Sequence, residues 1–199
     1  VQMYDQTFTH VVYAKGFKVT REAVDDDQYN VISRLPALLG KSLRRWEEKS
    51  GSNILERAFN SSYLGGDAQE LCSTVHPSSA GGSSQSNASA TGITLTEANY
   101  ETLRNQLRNQ KDDKAMKIDA SPTNVIVPVE LQKTAEIIFK SNLRSGTADN
   151  DFNPYQGTVT VVPWIYLGDT STTAWFILDK GQMNFLWFFR DRVEFKNDD

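Results

Sequence analysis

One cysteine and two histidines are all that this 199-residue chain offers of the residue types that most often build disulfides, metal centres and nucleophilic sites. With Cys72 alone no intramolecular disulfide can form, which fits a reducing compartment. Cys72 and His76 stand four apart, but no second pair completes a tetrahedral ligand set. Nucleophile elbow, P-loop and dinucleotide glycine patterns are all missing. A basic surplus is missing too: 21 Lys and Arg stand against 25 Asp and Glu, for a net charge of -4 and a pI near 5.3. Affinity for nucleic acid rests on clustered cations, so this balance works against a general polyanion-binding role and leaves room only for a local basic face. No apolar run approaches the roughly 18 residues of a membrane-spanning helix, and no secretory pattern opens the sequence given.

What remains is ordinary globular composition, 39% hydrophobic and 23% charged, in a chain long enough for one sizeable core or two small subdomains. Residues 8–19 are rich in β-branched and aromatic types and are expected to form a strand, with Gly16 a candidate bulge. The acidic run Asp25-Asp26-Asp27 then precedes Tyr29, Ile32, Leu35, Leu38, Leu39, Leu43 and Trp46, whose steps of three and four share a helical face. Pro36 should break or kink that helix near Leu35. A helix over residues 36–59 would be on the order of 35 Å long. Its outer face carries Lys41, Arg44, Arg45, Glu47, Glu48, Lys49, Glu56 and Arg57, with Arg44 and Glu48 spaced as an i,i+4 pair.

Residues 61–92 are rich in Ser, Gly, Asn and Ala and read as a mobile surface loop, with too little apolar area to offset the cost of ordering it. Thr94-Leu95-Thr96-Glu97 matches a capping box, opening a helix to about Lys111. Asn124-Val125-Ile126-Val127 reads as a buried strand, and Pro128 suits the first turn of a helix through Leu131, Ala135, Ile138 and Phe139. After a polar loop over residues 145–157, three further β-like runs (158–164, 173–178 and 183–189) suggest an antiparallel sheet packed on the helices. The aromatic run Phe185-Leu186-Trp187-Phe188-Phe189, with Trp164, Trp175 and Phe176 before it, is expected to be mostly core, one strand face being available for contact with another molecule.

Carboxylates at Asp112, Asp113, Asp149 and Asp151 are the one set that could form an acid–base pair, and nothing in their spacing converges them. Turn capping and loop solvation are the preferred account of them. No cofactor is expected, and no catalytic or metal-binding residue is assigned.

Five segments, taken in order, resemble tailed-bacteriophage major capsid proteins, specifically the phage Mu-type major head subunit group. They are Ala14-Lys15-Gly16-Phe17-Lys18-Val19-Thr20-Arg21-Glu22, Leu71-Cys72-Ser73-Thr74-Val75-His76-Pro77, Arg108-Asn109-Gln110-Lys111-Asp112-Asp113, Val125-Ile126-Val127-Pro128-Val129-Glu130-Leu131, and residues 141–151 around Leu143-Arg144-Ser145-Gly146. The resemblance implies an α+β Hong Kong 97-type capsid fold with a long spine helix and a mixed, mainly antiparallel sheet. Residues 1–21 would be the returning strand of an extended loop, 22–93 a peripheral domain with spine helix and Gly/Ser-rich loop, and 94–199 an axial-type domain. An N-terminal arm and a C-terminal end of the family pattern have no counterpart here, and Val1 stands where a start would carry Met, so a trimmed or partial chain is expected.

The implied function is structural: the main head subunit of a tailed phage or prophage, located in the virion capsid. Its partners would be itself, in hexamers and pentamers of an icosahedral shell, together with portal, scaffold and decoration proteins. The shell would enclose DNA without sequence-specific binding, and no membrane is involved. Arg44, Arg45, Glu48, Arg57, Asp149 and Asp151 are the candidate subunit-contact residues. Two alternatives stand beside this reading: a shell subunit of an encapsulin-type compartment, and a soluble binding module or hydrolase using the Asp-rich loop.

Overall fold

Four consecutive residues, Asn124 to Val127, organise the fold, because Val125, Ile126 and Val127 are all buried and point alternately to two sides. A computed structural model describes residues 4–112, 114–144, 151–183 and 185–196. Its elements are helices α1 (Arg21–Asp25), α2 (Leu35–Glu56), α3 (Glu97–Arg108) and α4 (Gln132–Lys140), and strands β1 (Asn124–Val127), β2 (Thr160–Pro163) and β3 (Phe176–Leu178). The fold is mixed α and β, and its sheet is mixed, in the order β2-β1-β3. β1 runs parallel to β2 and antiparallel to β3. The two late strands therefore flank β1 instead of pairing with each other as the expected antiparallel sheet required. α4 lies in the crossover between β1 and β2, the kind of connection that parallel neighbours need.

Period-2 alternation sorts the core into two clusters. Val125 and Val127 join Leu95, Tyr100, Ala135, Phe139, Tyr155 and Trp175 on one side, while Ile126 joins Leu55, Ala58, Leu167 and Phe176 on the other. A strand covered on both faces reads as an unbroken apolar run, which is why β1 lies where the sequence places it. Pro128 caps a 3-10 turn, Val129–Leu131, that leads directly into α4. Ala135 and Phe139, one turn apart on α4, are fully buried, and the Phe139 ring meets the edge of Tyr100 from α3 at 4.7 Å. The carbonyls at the end of α4 are met from outside the helix: Asn153 donates its amide to Ile138 and Ser141, and the Gly157 N–H bonds the Phe139 carbonyl.

The chain divides into two compact units, Thr7–Ile54 and Val1–Gln6 with Leu55–Asp199. In the first, the Asp27 carboxylate accepts the N–H groups of Ile32 and Val31 at 2.8 and 3.0 Å and so caps the 3-10 turn Ile32–Arg34 that precedes α2. These bonds, Ile32's the stronger, hold the Asp27 carboxyl below its usual range. Pro36 falls in the first turn of α2, where its missing N–H costs nothing, and the expected break lies just before it. The helix spans 22 residues and ends at Glu56, short of the expected Phe59.

Three further expectations are corrected. Residues 8–19 form no strand among the described residues: their backbone is irregular and Phe8, Val11, Val12 and Tyr13 are exposed. β-Branched composition favours extended chain, but a strand exists only where a neighbour takes up its N–H and C=O groups, and a bulge at Gly16 has no ladder to interrupt. The cap of α3 is Thr96, not Thr94. The Asn99 N–H bonds Thr96 Oγ1, while the Asn99 side chain donates to the Thr94 carbonyl, so the reciprocal carboxylate bond expected of Glu97 is replaced by an amide bond to the main chain before the cap. The helix also stops at Arg108, before the expected Lys111.

The Ser/Gly segment is the third. Amide side chains offset the cost of its ordering where apolar burial does not. Gln106 bonds the Ser86 and Ala88 carbonyls, Gln110 bonds the Ser86 carbonyl, and Gln85 exchanges two bonds with the Lys111 main chain. At the near end, Tyr4 donates to the Pro77 carbonyl, and Gly66 lies so close to Asp5 that a Cβ there would sit 2.9 Å from the Asp5 carbonyl oxygen.

Candidate functional site

No enclosed reaction centre emerges from the described residues, and the informative features lie on surfaces. Between residues 185 and 189 every side chain is 44–66% exposed, and Val193 and Phe195 continue the pattern. The expectation that this aromatic run is mostly core holds for Trp175 and Phe176, which sit in the two clusters, and fails for residues 185–189. Both faces of β1 are already covered, and residues 183 and 185–189 form no strand that could extend the sheet. Val12, 91% exposed, and its aromatic neighbours repeat the situation in residues 8–17. Along α2, Leu35, Leu39, Leu43 and Trp46 are half-buried and Leu38 is exposed. The Trp46 ring does find a neighbour in Tyr13, 4.1 Å away.

The charged candidates scatter. Arg44, Arg45 and Glu48 all lie exposed on α2, and the ion pair that Arg44 makes is with Glu47 at 3.4 Å, not with Glu48. A three-residue step on a helix brings side chains as near as a four-residue one, so either partner is sterically available. Arg57 is exposed and stacks its guanidinium 4.3 Å over the Tyr63 ring. Asp151 faces Arg144 at 3.9 Å, and Arg144 also holds Glu97. Asp149, like Asp113, lies outside the described residues. Asp112 caps its own turn by accepting the N–H groups of Lys114 and Met116. No trio of His, Cys, Asp or Glu among the described residues is arranged to hold a metal ion.

Cys72 and His76 part company in space. The Cys72 N–H bonds the Ala58 carbonyl, its side chain packs on the second core cluster, and burial, helped by the charge of Glu70, pushes its thiol up to about 11. A thiol that stays protonated is a poor nucleophile. His76 instead lies in a polar cleft with Asp67 and Asn87, at 2.6 and 3.2 Å from its two ring nitrogens. Burial raises the Asp67 carboxyl, but the His76 hydrogen bond, the Gln69 N–H and the His76 charge together outweigh it and leave it below its ordinary value. Sequence spacing shows the Cys72–His76 pair and gives no sign of Asp67 or Asn87.

The family comparison decides what such a surface-dominated molecule is. The model of a family described as phage capsid protein matches residues 4–199. This chain belongs to the phage capsid protein family. Among solved structures, it is similar to a chain of the bacteriophage JBD30 capsid decorated with minor capsid protein trimers, at 15% identity and TM-score 0.60, covering 74% of this chain and 71% of that one. A second structure of the bacteriophage JBD30 capsid matches with 15% identity and TM-score 0.59, covering 75% and 72%. At that identity the likeness establishes a shared fold. No curated protein matches the sequence. As a member of this family the chain is a structural component of the virion capsid, and no helix among the described residues is long and apolar enough to cross a membrane.

Proposed function

We propose that this phage capsid protein is the main shell-forming subunit of a tailed-phage head, closing with its own copies into an icosahedral container for DNA. The observation that carries this reading is the run of exposed aromatic and aliphatic side chains at residues 185–189, 193 and 195, matched at residues 8–17. Apolar side chains left exposed in such numbers lower the free energy when a second molecule covers them, and a closed shell multiplies many such modest contacts.

Several finer points belong to the same proposal. Residues 1–21 act as the returning segment of an extended loop that gains strand pairing only against a neighbouring copy, residues 22–93 as a peripheral domain, and residues 94–199 as an axial-type domain. The subunit is of the phage Mu type. Arg44, Arg45, Glu48, Arg57, Asp149 and Asp151 contribute to contacts between copies. Portal, scaffold and decoration proteins complete the head, the last suggested by the minor capsid protein trimers on the JBD30 particle. A net charge of -4 suits a wall that lets packaged DNA slide and leave. The chemistry is non-enzymatic, consistent with a Cys72 thiol that stays protonated and aspartates engaged in turns and ion pairs.

Electron microscopy and analytical ultracentrifugation of the protein expressed alone test this directly. Capsomers, sheets or closed particles are the expected result. A species that stays monomeric at tens of micromolar would overturn it.

A further inference from the structure

We infer that His76 works as a proton-dependent latch on the 61–92 loop, fastening its two arms while the ring carries both protons. The latch does not depend on how copies of the chain assemble. It rests on which atoms face the two ring nitrogens. Nδ1 stands 2.6 Å from Asp67 Oδ2 on the outgoing arm, and Nε2 stands 3.2 Å from Asn87 Oδ1 on the returning arm.

Asn87 cannot turn its amide round to offer an N–H instead. Its Oδ1 already accepts the Ser73 N–H at 2.8 Å, and its Nδ2 already donates to the Leu71 carbonyl at 2.8 Å. A flipped amide would set donor against donor and acceptor against acceptor at both places. Nε2 therefore faces an acceptor and is satisfied when it donates. Asp67 presents an acceptor to Nδ1 as well: its other oxygen takes the Gln69 N–H at 3.2 Å. A ring with acceptors at both nitrogens is fully bonded as imidazolium and loses one bond when it is neutral.

The surroundings leave this pair in control. Of the described residues lining the cleft, Asp67 is the one that carries charge. Tyr4, from the start of the chain, contributes a phenol that donates to the Pro77 carbonyl. Gln85 and Asn87 from the returning arm and Gln110 from beyond α3 are neutral. The latch also reaches further than the ring. The main chains of His76 and Gln85 exchange two hydrogen bonds, 2.7 and 2.9 Å, and the Gln85 side chain exchanges two more with Lys111. Loss of the Nε2 bond leaves Asn87 held by Ser73 and Leu71 alone and so loosens, by one bond, a connected set that ties the loop to the segment after α3.

Long-range proton–nitrogen spectra of the full chain with labelled histidine test the protonation, with exposed His10 as the internal reference. While the loop is fastened the expected His76 signature is protons on both nitrogens, because each ring nitrogen faces an acceptor. A single-proton neutral ring at His76 would overturn the latch. Hydrogen exchange followed from pH 6 to pH 9 tests the consequence: protection factors of the Gln85 and Asn87 amides should fall on the order of tenfold where the spectra show the ring losing a proton, the scale of one charge-assisted hydrogen bond. D67N, which removes the carboxylate at Nδ1, should lower that protection throughout. Protection that stays flat across this range in the unsubstituted chain would equally defeat the proposal.

Discussion

Residues 7–54 and residues 55–199 stabilise themselves in opposite ways. Every fully buried apolar side chain among the described residues lies between Leu55 and Phe176. The 7–54 unit buries Ser52 and otherwise leaves its side chains half-covered or exposed, although it contains most of the longest helix of the chain. The first kind of region has its folding free energy built in, through burial at about 25 cal/mol per Å² of apolar area. The second relies on local devices, the Asp27 cap, the first-turn Pro36 and the Tyr13–Trp46 contact, and leaves much of its apolar surface exposed. The contrast ends at Phe176: beyond it the first kind of region too leaves its apolar side chains exposed, at residues 185–189, 193 and 195.

The strongest way to break that contrast is to hollow the buried part. F139A removes a fully buried ring from between Tyr100, the sheet and α4, and should cost about 3–5 kcal/mol. Urea unfolding of the unassembled chain measures it, and a loss below about 1 kcal/mol would mean the sheet cluster is not where the stability resides. T96A comes next. It removes the acceptor of the Asn99 N–H at the start of α3 and should cost about 1 kcal/mol in the same assay.

Acid supplies a sharper probe of the polar loop. The folded Asp67 carboxyl is held below its ordinary 3.8, so its contribution is complete above that value and is lost as pH falls through the folded value. Exchange protection at Gln69 and His76 should accordingly persist at pH 5 and weaken below about pH 4. D67N should remove that acid step, and an unchanged step would assign it to another carboxylate.

How much of this was legible in advance follows from the range of the interactions. β1, Pro128 and the burial of Ala135 and Phe139 are written in local pattern, because strand alternation and helical spacing involve neighbours in sequence. The break before α2 is equally local, since proline acts on its own backbone. Strand pairing is not local. Residues 8–19 and 183–189 have the composition of strands and no ladder among the described residues, since composition does not say which partner is present. The loop failed for the reverse reason: Gln85, Gln106 and Gln110 look like solvated surface until a backbone 18 to 26 residues away is placed against their amides. At the candidate surface, the exposure of Arg44, Arg45, Glu48 and Arg57 was readable, whereas the Arg144–Asp151 pair and the Asp67–His76–Asn87 set needed the folded chain.

The smallest expected effect on the fold separates the two regions most cleanly. Leu38 on α2 is 56% exposed, so L38Q should change the stability of the unassembled chain by no more than about 0.5 kcal/mol. R44A, which removes an exposed pair with Glu47, should do no more, and its small effect should vanish in high salt. If the half-covered face of α2 is reserved for another copy, L38Q nevertheless depletes assembled particles at a protein concentration where F139A-type destabilisation plays no part. Sedimentation at matched concentration reads this, with urea unfolding of the same sample confirming that the fold is intact. Normal particle yield from L38Q and R44A together would move the contact surface off α2 and leave the exposed aromatic segment at residues 185–189 to account for assembly.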